Sequence, residues 1–116
     1  MINTRSLCNN YDFKRAYNKG DFCVGKYLVL YYLKNPYSYN RLGISAGKKI
    51  GKSVIRNRFR RIVKESYRLL ECKISIGFDM VFVLRKNDEL PGFWDIKREM
   101  KYLLKKGNIF DREKID

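Results

Sequence analysis

The sequence predicts an α+β fold in which a small sheet packs against helices in a two-layer sandwich. Two segments, Cys23 to Leu33 and Phe78 to Leu84, are rich in β-branched and aromatic residues and read as strands. Two others, Val54 to Leu70 and Phe93 to Lys106, repeat apolar residues at helical spacing. The resulting order of helix, strands, helix, strand, helix places the helices on one side of the sheet. At 116 residues the chain has length for one core, so residues 1–116 are expected to form a single domain.

The first helix is read at Tyr11 to Tyr17, with Asn9 or Asn10 as its cap, Phe13 and Tyr17 one turn apart, and Gly20 as its stop. The segment from Cys23 to Leu33 is apolar on both faces apart from Lys26, as in a central strand or one whose second face has another use. Asn35 to Asn40 reads as a turn. Arg41 to Ala46 then alternates Arg41, Gly43 and Ser45 against Leu42, Ile44 and Ala46, the pattern of a half-buried strand. Gly47 to Lys52 is a basic loop between glycines, and Ser53 is placed to cap the next helix.

That helix buries a stripe of Ile55, Phe59, Ile62, Val63, Ser66 and Leu70 and turns Arg56, Asn57, Arg60, Arg61, Lys64 and Arg68 outward. Phe78 to Leu84 is a buried strand. The last helix buries Phe93, Ile96, Met100, Leu103 and Leu104 and exposes Lys97, Arg98, Lys101 and Lys105. No repeat or linker interrupts the chain, and Asp111 to Asp116 read as a frayed end.

Composition narrows the function. Lysine and arginine number 26 against 12 acids, a net charge of +14, so a compact form repels itself unless a polyanion is its usual partner. A membrane surface is disfavoured, because there is no run of about 18 apolar residues and no basic helix with a broad apolar face. Met1 to Asn10 lacks the apolar stretch of a signal peptide, and a cytoplasmic protein is expected. Cys8, Cys23 and Cys72 have neither disulfide nor metal-site spacing and read as ordinary reduced thiols. Histidine is absent, which removes the commonest general base and nitrogen ligand. Asp12, Asp21, Asp79, Asp88, Glu89 and Asp95 show no close-set pattern for two-metal hydrolysis, so neither a catalytic residue nor a metal ligand is expected.

The charge is concentrated. Arg41 to Arg68 contains ten basic residues and one acid, Glu65. Helical spacing of Arg56, Arg60, Arg61 and Lys64 forms a ridge able to meet successive phosphates, whereas a merely solvated face interleaves acids at i, i+4. Such contacts do not tell DNA from RNA. Phe13 and Tyr17, with Tyr27, Val29 and Tyr31 on one face of the first strand, either line a groove on which unpaired bases stack or belong to the core.

The segment RLGISAGKKIGKSVIRNRFRRIVKESYR, Arg41 to Arg68, resembles the signature of the bacterial ribonuclease P protein family: an R-x-G-I-S-V stretch, paired lysines, a glycine, then R-N-R on a basic helix. Phe13 to Gly20 and Asp79 to Arg85 resemble further family segments, so nearly the whole chain is covered. Ala46 and Gly47 depart from the pattern, where valine and a small polar residue are more usual. The resemblance implies the order α-β-β-β-α-β-α, a fold like the second domain of ribosomal protein S5, with a left-handed crossover between parallel strands. It also implies a ribonucleoprotein in which a catalytic RNA subunit cleaves precursor tRNA to leave the mature 5′ end. Magnesium is then held mainly by the RNA subunit and substrate. Lys48, Lys49, Lys52, Arg56, Asn57, Arg58, Arg60, Arg61, Lys64 and Arg68 are expected to bind RNA, and Phe13, Lys14, Tyr17, Val29 and Tyr31 to take the single-stranded 5′ leader.

Two rivals share part of this pattern. A ribosomal protein or RNA chaperone also combines a basic helix with an aromatic sheet, but its binding leads to no turnover. A self-sufficient nuclease would need acids that folding brings together.

Overall fold

The computed structural model describes residues 2–111. Among them are β1 (Thr4–Ser6), α1 (Asn10–Lys19), β2 (Asp21–Val24), β3 (Leu28–Lys34), β4 (Asn40–Ser45), α2 (Ser53–Leu70), β5 (Phe78–Leu84) and α3 (Phe93–Lys106). The strands form one mixed sheet in the order β1-β4-β5-β3-β2. β4 runs parallel to β1 and β5, while β3 is antiparallel to β5 and β2. The expected α+β class and mixed sheet are therefore present.

α2 and α3 form the helical layer. Leu28, Leu30, Leu42, Met80, Phe82 and Leu84 of the sheet pack with Phe59, Val63, Tyr67, Leu70, Ile96, Met100, Leu103 and Leu104 in one buried cluster. Tyr67 joins the predicted stripe of α2, and the Ser66 hydroxyl is satisfied by donating to the Ile62 carbonyl at 2.8 Å. The expectation of helices on one side only is corrected by α1, which lies across the other face. There Ala16 is buried with Leu7 and Val81, and Phe13, Tyr31 and Val83 pack around them. Gly43 makes room for α1, because a Cβ at that position would lie 2.7 Å from the Phe13 ring.

The run from Cys23 to Leu33 is a hairpin and not one strand. Its single charged residue, Lys26, is in the turn between β2 and β3. The Glu99 carboxylate on α3 accepts the backbone N–H groups of Lys26, Tyr27 and Leu28 at 2.7, 2.7 and 2.6 Å. Three successive N–H groups converging on one anion cannot also serve a strand ladder, in which they alternate sides. β1 was not predicted, being short and polar. It is held by β4 and by Glu71, which accepts from the Ile2 and Asn3 N–H groups and the Thr4 hydroxyl at 2.8, 3.3 and 2.5 Å.

Asn9 caps α1 as expected, accepting the Tyr11 N–H at 2.9 Å. Ser53 does not cap α2. Lys52 occupies the cap position without a side-chain bond, and the Ser53 hydroxyl instead accepts from Arg56 Nη2 at 3.0 Å. Of the expected frayed end, Asp111 is tied by its N–H to the Lys73 carbonyl at 2.9 Å; residues 112–116 lie outside the described residues. Cys8, Cys23 and Cys72 are unpaired. Among the described residues no helix is long and apolar enough to cross a membrane.

Candidate nucleic-acid interface

Strand register arranges the α1 face of the sheet in rows. Arg41, Asp79 and Leu33 form one; Gly43, Val81, Tyr31 and Phe22 the next; Ser45, Val83, Val29 and Val24 the third. α1 lies on the middle row, through Phe13 over Gly43 and Tyr17 edge-on to Tyr31, with ring centroids 5.0 Å apart. The third row is left beside it. Tyr17 is 37% exposed, Phe22 62% and Val24 46%, while Phe13, Val29 and Tyr31 are half-buried.

Folding thus places Phe13, Lys14, Tyr17, Val29 and Tyr31 on one face. Tyr27, included with them from periodicity, instead packs against the core on the α2 and α3 side. Phe22 and Val24 were missed. Their alternation about buried Cys23 was the available signal, but a strand beginning at Cys23 excluded the first of them. A cleft of about 400 Å³ opens beside α1, lined by residues including Phe13, Lys14, Tyr17, Ser45 and Arg60. Arg60 belongs to α2, so the cleft joins the aromatic face to the basic helix.

On α2, Asn57, Arg58, Arg61, Lys64 and Arg68 are exposed, while Arg56 and Arg60 are half-buried. Arg60 Nη1 donates to Asn57 Oδ1 at 3.1 Å and Nη2 to the Ala46 carbonyl at 3.5 Å, which aims the guanidinium toward the cleft mouth. Among the described residues, Arg56, Arg58, Arg60, Arg61 and Lys64 have no ion pair with an acid. Arg68 differs: its Nε and Nη2 donate to the two oxygens of Glu65 at 3.0 and 2.5 Å. This hydrogen bonding holds the Glu65 carboxyl below the usual carboxylate range.

Lys48, Lys49 and Lys52 are exposed around a 3₁₀ turn, Lys48–Ile50, which Gly51 connects to α2 at φ 145°. At the departures from the family pattern, Ala46 is buried, whereas a Cβ on Gly47 would meet nothing within 4 Å. Gly47 is therefore not required by space.

Several of the acids hold structural bonds. Arg41 Nε and Nη2 donate to Asp79 at 2.8 and 2.6 Å, and Nη1 to Asp12 at 3.1 Å, tying α1 to the sheet. Hydrogen bonding to Asp79 raises the Arg41 pKa further above its ordinary value, so the guanidinium stays charged. Asp95 accepts the Gly92 N–H at 3.0 Å, while Glu71 and Glu99 accept the backbone bonds described above. Folding does bring Asp12 and Asp79 together, but around an arginine. Among the described residues no three of His, Cys, Asp or Glu are grouped to hold a metal ion.

Known proteins share this fold. The family model for ribonuclease P matches residues 1–108. The chain is 44% identical over 107 residues to the ribonuclease P protein component of Clostridioides difficile (strain 630), covering 91% of this chain and 94% of that protein. It is 42% identical over 101 residues to that of Thermoanaerobacter sp. (strain X514), covering 87% of each. The solved RNase P protein of Staphylococcus aureus superposes with a TM-score of 0.83 at 28% identity, covering 91% of this chain and 97% of that one. That of Thermotoga maritima gives 0.79 at 33% identity, covering 88% and 96%. With the sequence match spanning both the basic helix and the aromatic face, and the same fold in solved relatives, the chain belongs to the ribonuclease P protein family.

Proposed function

We propose that the protein is the protein component of a ribonuclease P ribonucleoprotein, binding the RNA subunit through α2 and the 5′ leader of precursor tRNA beside α1. The observation that carries this reading is the junction at Arg60, where a ridge whose Arg56, Arg58, Arg60, Arg61 and Lys64 have no acid partner among the described residues meets an open aromatic face. Phosphates complement the ridge, and unpaired bases complement Tyr17, Phe22 and Tyr31. Lys48, Lys49 and Lys52 extend the phosphate contacts at the start of α2.

Cleavage of the leader phosphodiester is assigned to the RNA subunit. The absence of histidine and the engagement of Asp12, Asp79, Glu71, Asp95 and Glu99 in structural bonds support that assignment. Magnesium, held by RNA and substrate, supplies Lewis-acid and charge-neutralising chemistry. The protein's share is to hold the leader and to lower the charge repulsion between two RNAs. The same reading locates it with its RNA in the cytoplasm.

The test is reconstitution. Adding the protein to ribonuclease P RNA at low magnesium is expected to raise the rate of leader removal, with more effect on precursor than on mature tRNA binding. Sequencing the RNA that copurifies with the tagged protein is expected to return the ribonuclease P RNA. Recovery of ribosomal RNA with no effect on cleavage would support a ribosomal or chaperone role instead. Steady cleavage by RNA-free protein would overturn the assignment of chemistry to RNA.

A further inference from the structure

Two tyrosines between β3 and β4 take no part in either surface above. Tyr37 and Tyr39 lie ring on ring, with centroids 5.0 Å apart and planes within 5°. Their loop is braced: Asn35 Oδ1 accepts the Tyr37 N–H at 2.9 Å, and Asn35 Nδ2 donates to Asp79 at 2.8 Å. The Arg5 guanidinium sits 4.0 Å from the centre of the Tyr39 ring. Neither tyrosine enters a buried cluster, and Tyr37 remains 42% exposed. Arg41, 5.1 Å from the Tyr37 ring, is committed to Asp79 and Asp12, but exposed Arg5 has no ion pair among the described residues. The exposed part of the Tyr37 ring offers aromatic surface to a base, and Arg5, resting on Tyr39 with no ion pair among the described residues, offers charge to its phosphate.

Position decides which RNA. Arg41, in the row nearest the tyrosines, is four residues along β4 from Ser45 in the open row, roughly 13 Å at strand rise, and α1 lies between them. The pair is therefore on the opposite flank of α1 from the aromatic groove. Toward the sheet edge, however, Arg5 and Lys64 line one cavity of about 440 Å³, and Lys64 belongs to the α2 ridge. RNA lying on the ridge reaches Arg5 and the tyrosines around β1 without crossing the groove. We propose that Tyr37, Tyr39 and Arg5 form a stacking site for an unpaired nucleotide of the RNA subunit. This rests on the reading that α2 binds that subunit.

The test titrates ribonuclease P RNA against the wild type, Tyr37→Ala, Tyr37→Phe, Arg5→Ala and Arg60→Ala at several salt concentrations, with chemical probing of unpaired bases in each complex. Tyr37→Ala is expected to weaken binding about tenfold with an unchanged salt slope, and Tyr37→Phe, which keeps the ring, by less than about twofold. Arg5→Ala is expected to lower the slope by about one unit. One base protected in the wild-type complex should become reactive with Tyr37→Ala, while preference for leader-bearing precursor stays unchanged. Should Tyr37→Ala fail to fold, Tyr37→Leu keeps apolar bulk without the ring face, and the same loss is expected. Wild-type affinity and protection in the Tyr37 variants, with Arg60→Ala weakened, would overturn this inference alone. A loss confined to leader-bearing precursor would assign the pair to the substrate and also overturn it. No binding of the RNA subunit by the wild type would overturn the underlying reading as well.

Discussion

Glu99 and Gly25 compete for one volume: a Cβ on Gly25 would lie 2.6 Å from the Glu99 Cδ. The glycine lets the α3 carboxylate reach the β2–β3 turn and accept its three N–H groups. The turn in turn fixes the register that pairs Val24 with Val29 and Phe22 with Tyr31, and so builds the open aromatic face. Glu99→Ala is expected to cost about 2 to 3 kcal/mol by leaving these donors without their charged acceptor. Gly25→Ala should destabilise for the complementary steric reason. Urea unfolding of both variants checks this, and a midpoint unchanged in both would show that the turn holds without Glu99.

Tyr67 makes stability fall in alkali. It is fully buried, its hydroxyl is 2.8 Å from Thr4 Oγ1, and burial pushes its pKa up to about 12. An unfolded tyrosine ionises near pH 10, so the contribution is complete below that pH and is lost as pH rises toward 12. The expected loss is about 2 to 3 kcal/mol across this interval. Stability curves of the wild type and Tyr67→Phe should differ in slope between pH 10 and 12 and run parallel below; parallel curves throughout would contradict the account.

Tyr17 and Phe13 separate binding from folding. Tyr17 is more exposed, whereas Phe13 packs over Gly43 and against the Leu7, Ala16 and Val81 cluster. Tyr17→Ala is expected to change the melting temperature little while weakening leader-bearing precursor by about 1 to 3 kcal/mol relative to mature tRNA. Phe13→Ala should reduce both stability and leader affinity, because it also opens a cavity beneath α1. A preference of Tyr17→Ala for precursor over mature tRNA as large as that of the wild type would remove the groove from leader recognition.

On the ridge, Arg61→Ala and Arg68→Ala should differ although both side chains are exposed. Arg61 has no acid partner among the described residues, but Arg68 is bonded through two nitrogens to Glu65. Arg61→Ala is expected to lower the salt slope for RNA-subunit binding by about one unit. Arg68→Ala should change it by less, and Glu65→Gln should increase affinity by freeing Arg68. Slopes measured between low and physiological salt decide the matter; identical losses for the two arginines would show that the Glu65 pair opens on binding.

By itself the sequence determined the α+β class, the limits of α2, β5 and α3 to within a residue or so, and the concentration of charge between Arg41 and Arg68. These depend on local periodicity and composition, which short-range physics makes legible. It also placed Phe13, Tyr17, Val29 and Tyr31 as candidates, without deciding between groove and core. Only tertiary structure decided that Lys26 turns the chain, because the acceptor for its N–H is Glu99, 73 residues away. The same holds for β1, whose three residues are held by β4 and Glu71, and for α1, whose place opposite α2 depends on the missing Cβ of Gly43. It holds also for Arg41, whose charge is spent on Asp79 and Asp12, while Arg60 is turned toward the cleft. Side-chain period reports which face is apolar, but what covers that face is set by contacts between residues far apart in the chain.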